Sequence, residues 1–138
     1  MIITICGSME FAREMIAVGV LLQRRGHQVL YPEYTLDFAK GSISKQEGAK
    51  LKKSQGLIRA HYQNIASSNA ILVLNYDKGQ HRGWVGANSF LEMGFAHVLS
   101  KRIYLLNPPP EFPYFNEELQ AMQAIVLNGD LSKIGVNG

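Results

Sequence analysis

The chain has 138 residues, 46% of them hydrophobic and 18% charged, with 14 basic and 11 acidic side chains giving a net charge of +3. That length suits one hydrophobic core, so a single domain over residues 1–138 is expected; the composition excludes a disordered, collagen-like or coiled-coil chain, and the small charge demands neither a nucleic-acid polymer nor a membrane as partner. The single cysteine, Cys6, excludes an internal disulfide or a thiolate cluster, and short apolar runs without a basic leader or cleavage site lead to the expectation of a cytoplasmic protein.

In chain order, residues 2–6 form a β-branched run ended by Gly7 and Ser8, which predicts a strand and a tight turn. Residues 10–25 carry apolar side chains at helical spacing, Phe11, Met15, Val18 and Leu22, and Gly26 follows as a helix C-terminal glycine should. Residues 28–31 before Pro32 predict the second strand. From 33 to 55 the pattern dissolves into polar and basic residues, Lys40, Lys45, Lys50, Lys52 and Lys53 among them, and this stretch is expected to be a long mobile loop with at most helical turns. Residues 57–67 predict a helix. The uninterrupted apolar run 70–75 predicts a strand buried on both faces, as in the middle of a parallel sheet.

A glycine-bearing loop over 76–86 leads to a helix from about 89 to 100 and a strand over 102–106. Asn107 and three prolines end that strand, and a last helix over 117–123 and a short strand over 124–127 precede a glycine-rich tail. The alternation predicts an α/β fold: a doubly wound, Rossmann-like or flavodoxin-like, five-stranded parallel sheet with helices on both faces. Its ligand crevice should lie beyond the carboxyl ends of the strands, where the loops after the first, third and fourth strands meet.

Several residues there could carry chemistry. Gly7 and Ser8 offer backbone N–H groups at a helix start, suited to a phosphate or a sugar hydroxyl, although Ser8 can equally be the cap of the first helix. Met9 and Phe11 stand where a dinucleotide fingerprint would need glycine. Trp84, in the loop that contains Gly83 and Gly86, could stack on a base or pack on its own loop. Cys6 closes an apolar strand, where a buried thiol is usually inert. His27, His61, His81 and His97 share no metal-ligand spacing, so no metal is expected.

Glu92 stands out, because Phe90, Leu91, Met93 and Phe95 around it are core-type residues and a carboxylate among them must be paired or used. It could close a capping box with Ser89, or it could be a nucleophile held in the crevice.

Taken together, Ile5-Cys6-Gly7-Ser8, the run from Ser68 to Asn75, Glu92-Met93-Gly94-Phe95-Ala96 and the run from Lys101 to Leu106 resemble the nucleoside 2-deoxyribosyltransferase family. The family includes the 2'-deoxynucleoside 5'-monophosphate N-glycosidases, whose first loop also reads Cys-Gly-Ser. The resemblance implies that Glu92 is the nucleophile, attacking the anomeric carbon of a small nucleoside or nucleotide to give a covalent glycosyl-enzyme, with no metal or organic cofactor. It implies that Cys6, Gly7, Ser8 and Arg13 receive the sugar or its 5'-phosphate, and that Trp84, Gly86, Asn88 and Ser89 line the second loop. His61, on the helix where the family commonly has an acid, is the candidate proton donor, with an ordinary pKa of about 6.5. A homodimer or larger homo-oligomer is also implied, with residues 114–138 completing a neighbour's site. The alternative from a different class is a non-catalytic nucleotide-binding or sensing domain of the same fold.

Overall fold

The computed structural model describes residues 1–113 and 115–135. Tyr114 and residues 136–138, part of the segment expected to complete a neighbour's site, lie outside the described residues. Five parallel strands, β1 (Ile2–Cys6), β2 (Gln28–Leu30), β3 (Ala70–Val73), β4 (Arg102–Leu105) and β5 (Ile125–Val126), pair in the order β2-β1-β3-β4-β5. The chain therefore winds outward from β1 in both directions, which places the reversal of strand order between β1 and β3.

Side chains on successive strand residues alternate between two cores, as the period of two requires. Ile3, Ile5, Leu72, Leu74, Tyr104 and Leu106 pack on one face against Met15, Val18 and Leu22 of α1 (Ala12–Arg24). Cys6, Ile71, Val73, Ile103 and Leu105 pack on the other against Ile65 of α4 (Leu57–Ala66), Met93 and Ala96 of α5 (Ala87–Val98) and Leu119 of α6 (Asn116–Ala121). The predicted doubly wound α/β fold is the observed one, and the central strand β3 is buried throughout.

Residues 33–55 depart from expectation. They hold two helices, α2 (Thr35–Ala39) and α3 (Lys45–Ser54), in place of a mobile loop. A reciprocal capping box starts α3: the Ser44 hydroxyl accepts from the Glu47 N–H at 3.1 Å, and the Glu47 carboxylate accepts from the Ser44 N–H at 3.4 Å. Gly48 then lets Phe38 lie against the helix, since a Cβ there would stand 2.6 Å from the ring. The lysines of α3 face solvent, so the helix shows little apolar periodicity to read.

Candidate active site

The end of β1 puts the Cys6 side chain on the α4/α5 face, and Gly7 then turns the chain with φ +153, a region only glycine enters freely. Ser8 caps the 3-10 turn Met9–Phe11, its hydroxyl accepting from the Glu10 N–H at 3.3 Å. The capping reading of Ser8 is therefore realised, one short turn ahead of α1.

The capping box at Ser89 and Glu92 is not. Helix α5 starts a turn earlier, with Gly86 as its N-cap, so Glu92 lies in the second turn. Ser89, Glu92, Met93 and Ala96 form the buried stripe of α5 at helical spacing, and that stripe carries the carboxyl of Glu92 to the end of β1. Glu92 is 5% exposed.

Helix α4 brings His61 to the same place. Its Nε2 lies 3.1 Å from the carbonyl oxygen of Ile5, 3.5 Å from Cys6 Sγ and 3.7 Å from a Glu92 carboxyl oxygen. Asn64, one turn along α4, donates from Nδ2 to the Tyr31 carbonyl at 3.2 Å and sits 3.4 Å from His61 Nδ1. Three buried groups of different chemistry, Cys6, His61 and Glu92, thus have their ligand-type atoms within 4.8 Å of one another. By composition and spacing they could hold a metal ion, a possibility that histidine spacing alone does not reveal.

Burial sets the protonation of all three. Desolvation raises the Glu92 pKa to about 8, against the smaller opposing effects of a hydrogen bond from the Cys6 thiol and the positive charge of Lys52 on α3. Desolvation lowers His61 to about 4, with the Ile5 carbonyl pulling the other way. The ordinary imidazole value assumed from sequence is thus replaced by one at which the ring is neutral at neutral pH. The Cys6 thiol is pushed well above its usual range by burial first, then by the Glu92 charge and the hydrogen bond to it.

The other expected binding residues lie on α1, on the loop before α5 and on the first turn of α5. Arg13 is exposed on α1, its Nε donating to the Ala39 carbonyl at the end of α2 at 3.0 Å. Asn88 is half-buried and Ser89 buried on the first turn of α5. Trp84 packs on its own loop, 4.9 Å from the His81 ring and 5.9 Å from Phe112, and Lys78 Nζ stands 5.5 Å over its ring. Gly86 has no room to spare, because a Cβ would approach Trp84 Nε1 at 3.2 Å.

Beyond the ends of β3 and β4 the fold is held by a reciprocal pair. Asn75 Oδ1 accepts from the Asn107 N–H at 2.9 Å, Asn107 Nδ2 donates to the Asn75 carbonyl at 3.2 Å, and Asn75 Nδ2 donates to the Asn107 and Pro108 carbonyls. Gly83, at φ +57, passes so close that a Cβ would stand 2.2 Å from the Pro108 oxygen. A crevice of about 900 Å³ opens here, lined by Tyr76, His81, Arg82, Asn107 and Phe112 among others, but not by Glu92.

No protein-family model matches the chain, and no curated protein matches it in sequence. Solved structures do. A 2-deoxyribosyltransferase from the psychrotolerant bacterium Bacillus psychrosaccharolyticus superposes with a TM-score of 0.54 at 16% identity, over 81% of this chain and 76% of that one. The Clostridium botulinum CMP N-glycosidase BcmB superposes with a TM-score of 0.51 at 18% identity, over 93% of this chain and 90% of that one. At such identities the likeness establishes a shared fold. Among the described residues no helix is long and apolar enough to cross a membrane.

Proposed function

We propose that this chain, which shares its fold with a 2-deoxyribosyltransferase and a CMP N-glycosidase, cleaves or exchanges the N-glycosidic bond of a nucleoside or nucleoside 5'-monophosphate, with Glu92 as nucleophile. One observation carries the reading: a buried carboxyl of strongly raised pKa beside the last residue of β1, at the strand-order reversal where sheets of this kind bind ligands.

The chemistry follows from the neighbours of Glu92. Glu92 first gives its proton to solvent. The carboxylate oxygen then bonds to C1' of the sugar as the C1'–N bond breaks, and the base leaves with the bonding electron pair and takes a proton from water. Water, or a second base, then attacks C1' from the face the first base vacated, which releases the carboxylate with retention of configuration. The Cys6 thiol hydrogen-bonds Glu92 and His61 Nε2 lies 3.7 Å from it, and in this reading the two hold its charge while it is unprotonated. With a pKa of about 8, little of Glu92 is ionised at neutral pH, and the positive field of Lys52 favours the reactive form. Gly7 and Ser8 would meet the sugar or its phosphate, and Asn88 would approach it from the first turn of α5.

The test is base release, followed by chromatography, from a panel of nucleosides and 5'-monophosphates, with wild type compared against Glu92→Gln. Equal turnover by both would overturn the assignment.

A specific observation favours one other reading. Glu92 is 5% exposed and outside the 900 Å³ crevice, as a structural carboxyl in a nucleotide-binding or sensing domain would be. Calorimetry on the same panel separates the two, since that domain would bind a nucleotide and release no base.

A further inference from the structure

We propose that Asn64 is the positioning residue of this site: its amide holds His61 as the Nε2–H tautomer, which turns the ring's one proton toward the Ile5 carbonyl and Glu92 and withholds the Nε2 lone pair from a metal ion. The proposal deepens the enzymatic reading and rests on it for the use made of His61, but the tautomer itself follows from two backbone carbonyls.

The first is that of Tyr31, at the end of β2. A carbonyl only accepts, so the Asn64 atom 3.2 Å from it must be the amide nitrogen, and the orientation of the amide is thereby assigned from its surroundings. That nitrogen has a second hydrogen, and His61 Nδ1 stands 3.4 Å away. A ring nitrogen facing a donor must accept, so Nδ1 carries no proton.

The second is that of Ile5, 3.1 Å from His61 Nε2. It likewise requires a donor, so Nε2 carries the proton. Two carbonyls, one on β1 and one just past β2, specify the same tautomer from opposite ends of the ring. The frame behind them is also fixed: the Asn64 carbonyl accepts from the Ser68 hydroxyl at 2.7 Å, and Ser68 in turn bonds the buried Thr4 of β1.

The consequence concerns the cluster as a whole. A cysteine, a histidine and a carboxylate with ligand atoms within 4.8 Å are a recognisable metal-binding set, but a metal needs an unprotonated imidazole nitrogen directed at it. Metal-binding histidines commonly receive that arrangement from an acceptor behind the ring, such as a carboxylate, which draws the proton to the far nitrogen. Asn64 presents a donor instead and drives the proton to the near one. The donor at position 64 and the Ile5 carbonyl therefore act together to favour a proton-bearing cluster over a metal-bearing one.

The experiment reads the tautomer without using turnover. Long-range ¹H–¹⁵N spectra of the ¹⁵N-labelled protein should show His61 protonated at Nε2, and a zinc titration by calorimetry should show no stoichiometric binding. In Asn64→Asp the introduced carboxylate accepts from the ring, so Nδ1 should become protonated while the Ile5 carbonyl still competes for a donor at Nε2, and zinc should bind more tightly than in the wild type. If base release is detected, Asn64→Asp should lose about tenfold or more in kcat with KM little changed. An Nδ1–H ring or stoichiometric zinc in the wild type would overturn the proposal, as would an unprotonated Nδ1 in Asn64→Asp. If that variant fails to fold, the wild-type spectrum decides alone, and because it needs no substrate, failure of the glycosidase reading leaves the result distinct.

Discussion

His61 Nε2 and Glu92 Oε2 face each other at 3.7 Å as two neutral groups, although their identities suggest an ion pair. An imidazolium would need a proton on Nδ1 as well, directly opposite the amide hydrogen of Asn64, and both charges would have to survive almost complete burial. The pKa values, about 4 for the ring and about 8 for the carboxyl, agree with that geometry.

This arrangement predicts how stability depends on pH. The folded-state value of Glu92, about 8, lies above its ordinary 4.5, so the folded chain keeps a proton that the unfolded chain releases; the resulting stability is full below pH 4.5 and is lost as pH rises through about 8. His61 has the opposite sign. Its value falls from 6.5 to about 4, so its contribution is present above pH 6.5 and is lost as pH falls through about 4. The two oppose each other between 4.5 and 6.5, and Glu92 acts alone from 6.5 to 8. Urea denaturation across that upper window should show a decline in the wild type that Glu92→Gln removes. Parallel curves for the two proteins would contradict the assignment of a neutral Glu92.

Enzymatic turnover should have the opposite trend over the same range. If the carboxylate is the reactive form, kcat/KM rises with pH and levels off above about 8. Glu92→Gln should lower it by about 10³-fold or more at every pH. A rate that falls through this range would make the protonated acid the working form.

Cys6 should be chemically silent in the folded chain. Its thiol is buried and held far from ionisation, so labelling by a disulfide reagent at pH 8 should be about 100-fold or more slower than in denaturant. Cys6→Ser, which keeps a donor to Glu92, should retain more activity than Cys6→Ala.

The glycine at position 83 should tolerate no side chain. Gly83→Ala adds a Cβ 2.2 Å from the Pro108 oxygen at a backbone angle of φ +57, and should destabilise the chain by about 1–3 kcal/mol, read as a lowered Tm. Gly94→Ala, where a Cβ meets nothing within 4 Å and the backbone is helical, is the matched control and should leave Tm unchanged or raised.

The strands and large helices were legible because their apolar residues recur at two or at 3.6 positions, and the wholly apolar 70–75 run announced a central strand. Helix α3 was not, because its stability comes from a cap and from one ring lying over Gly48, with lysines elsewhere. Its capping box, Ser44 with Glu47, was nonetheless written in the sequence, whereas the box read at Ser89 dissolved because the helix begins at Gly86. The stripe Ser89, Glu92, Met93 and Ala96 is the pattern that could have shown Glu92 facing the sheet. Cys6 and His61 were each visible as candidates, but their meeting was not, since it depends on α4 crossing the end of β1. Asn64 matters through which of its amide atoms faces the ring, which a letter in a sequence does not convey.

The chain that joins β2 to β3 runs through α2 and α3 before reaching α4, and it carries Lys52, whose charge reaches Glu92. The buried carboxyl and the charge that tunes it are thus mounted on separate parts: Glu92 on a helix packed against the sheet, Lys52 on the exposed side of a helix in the connection between β2 and β3. A charge at such an exposed position can be changed while every strand pairing stays in place, so the pKa of the carboxyl can drift in evolution or be retuned by design independently of the framework that holds it.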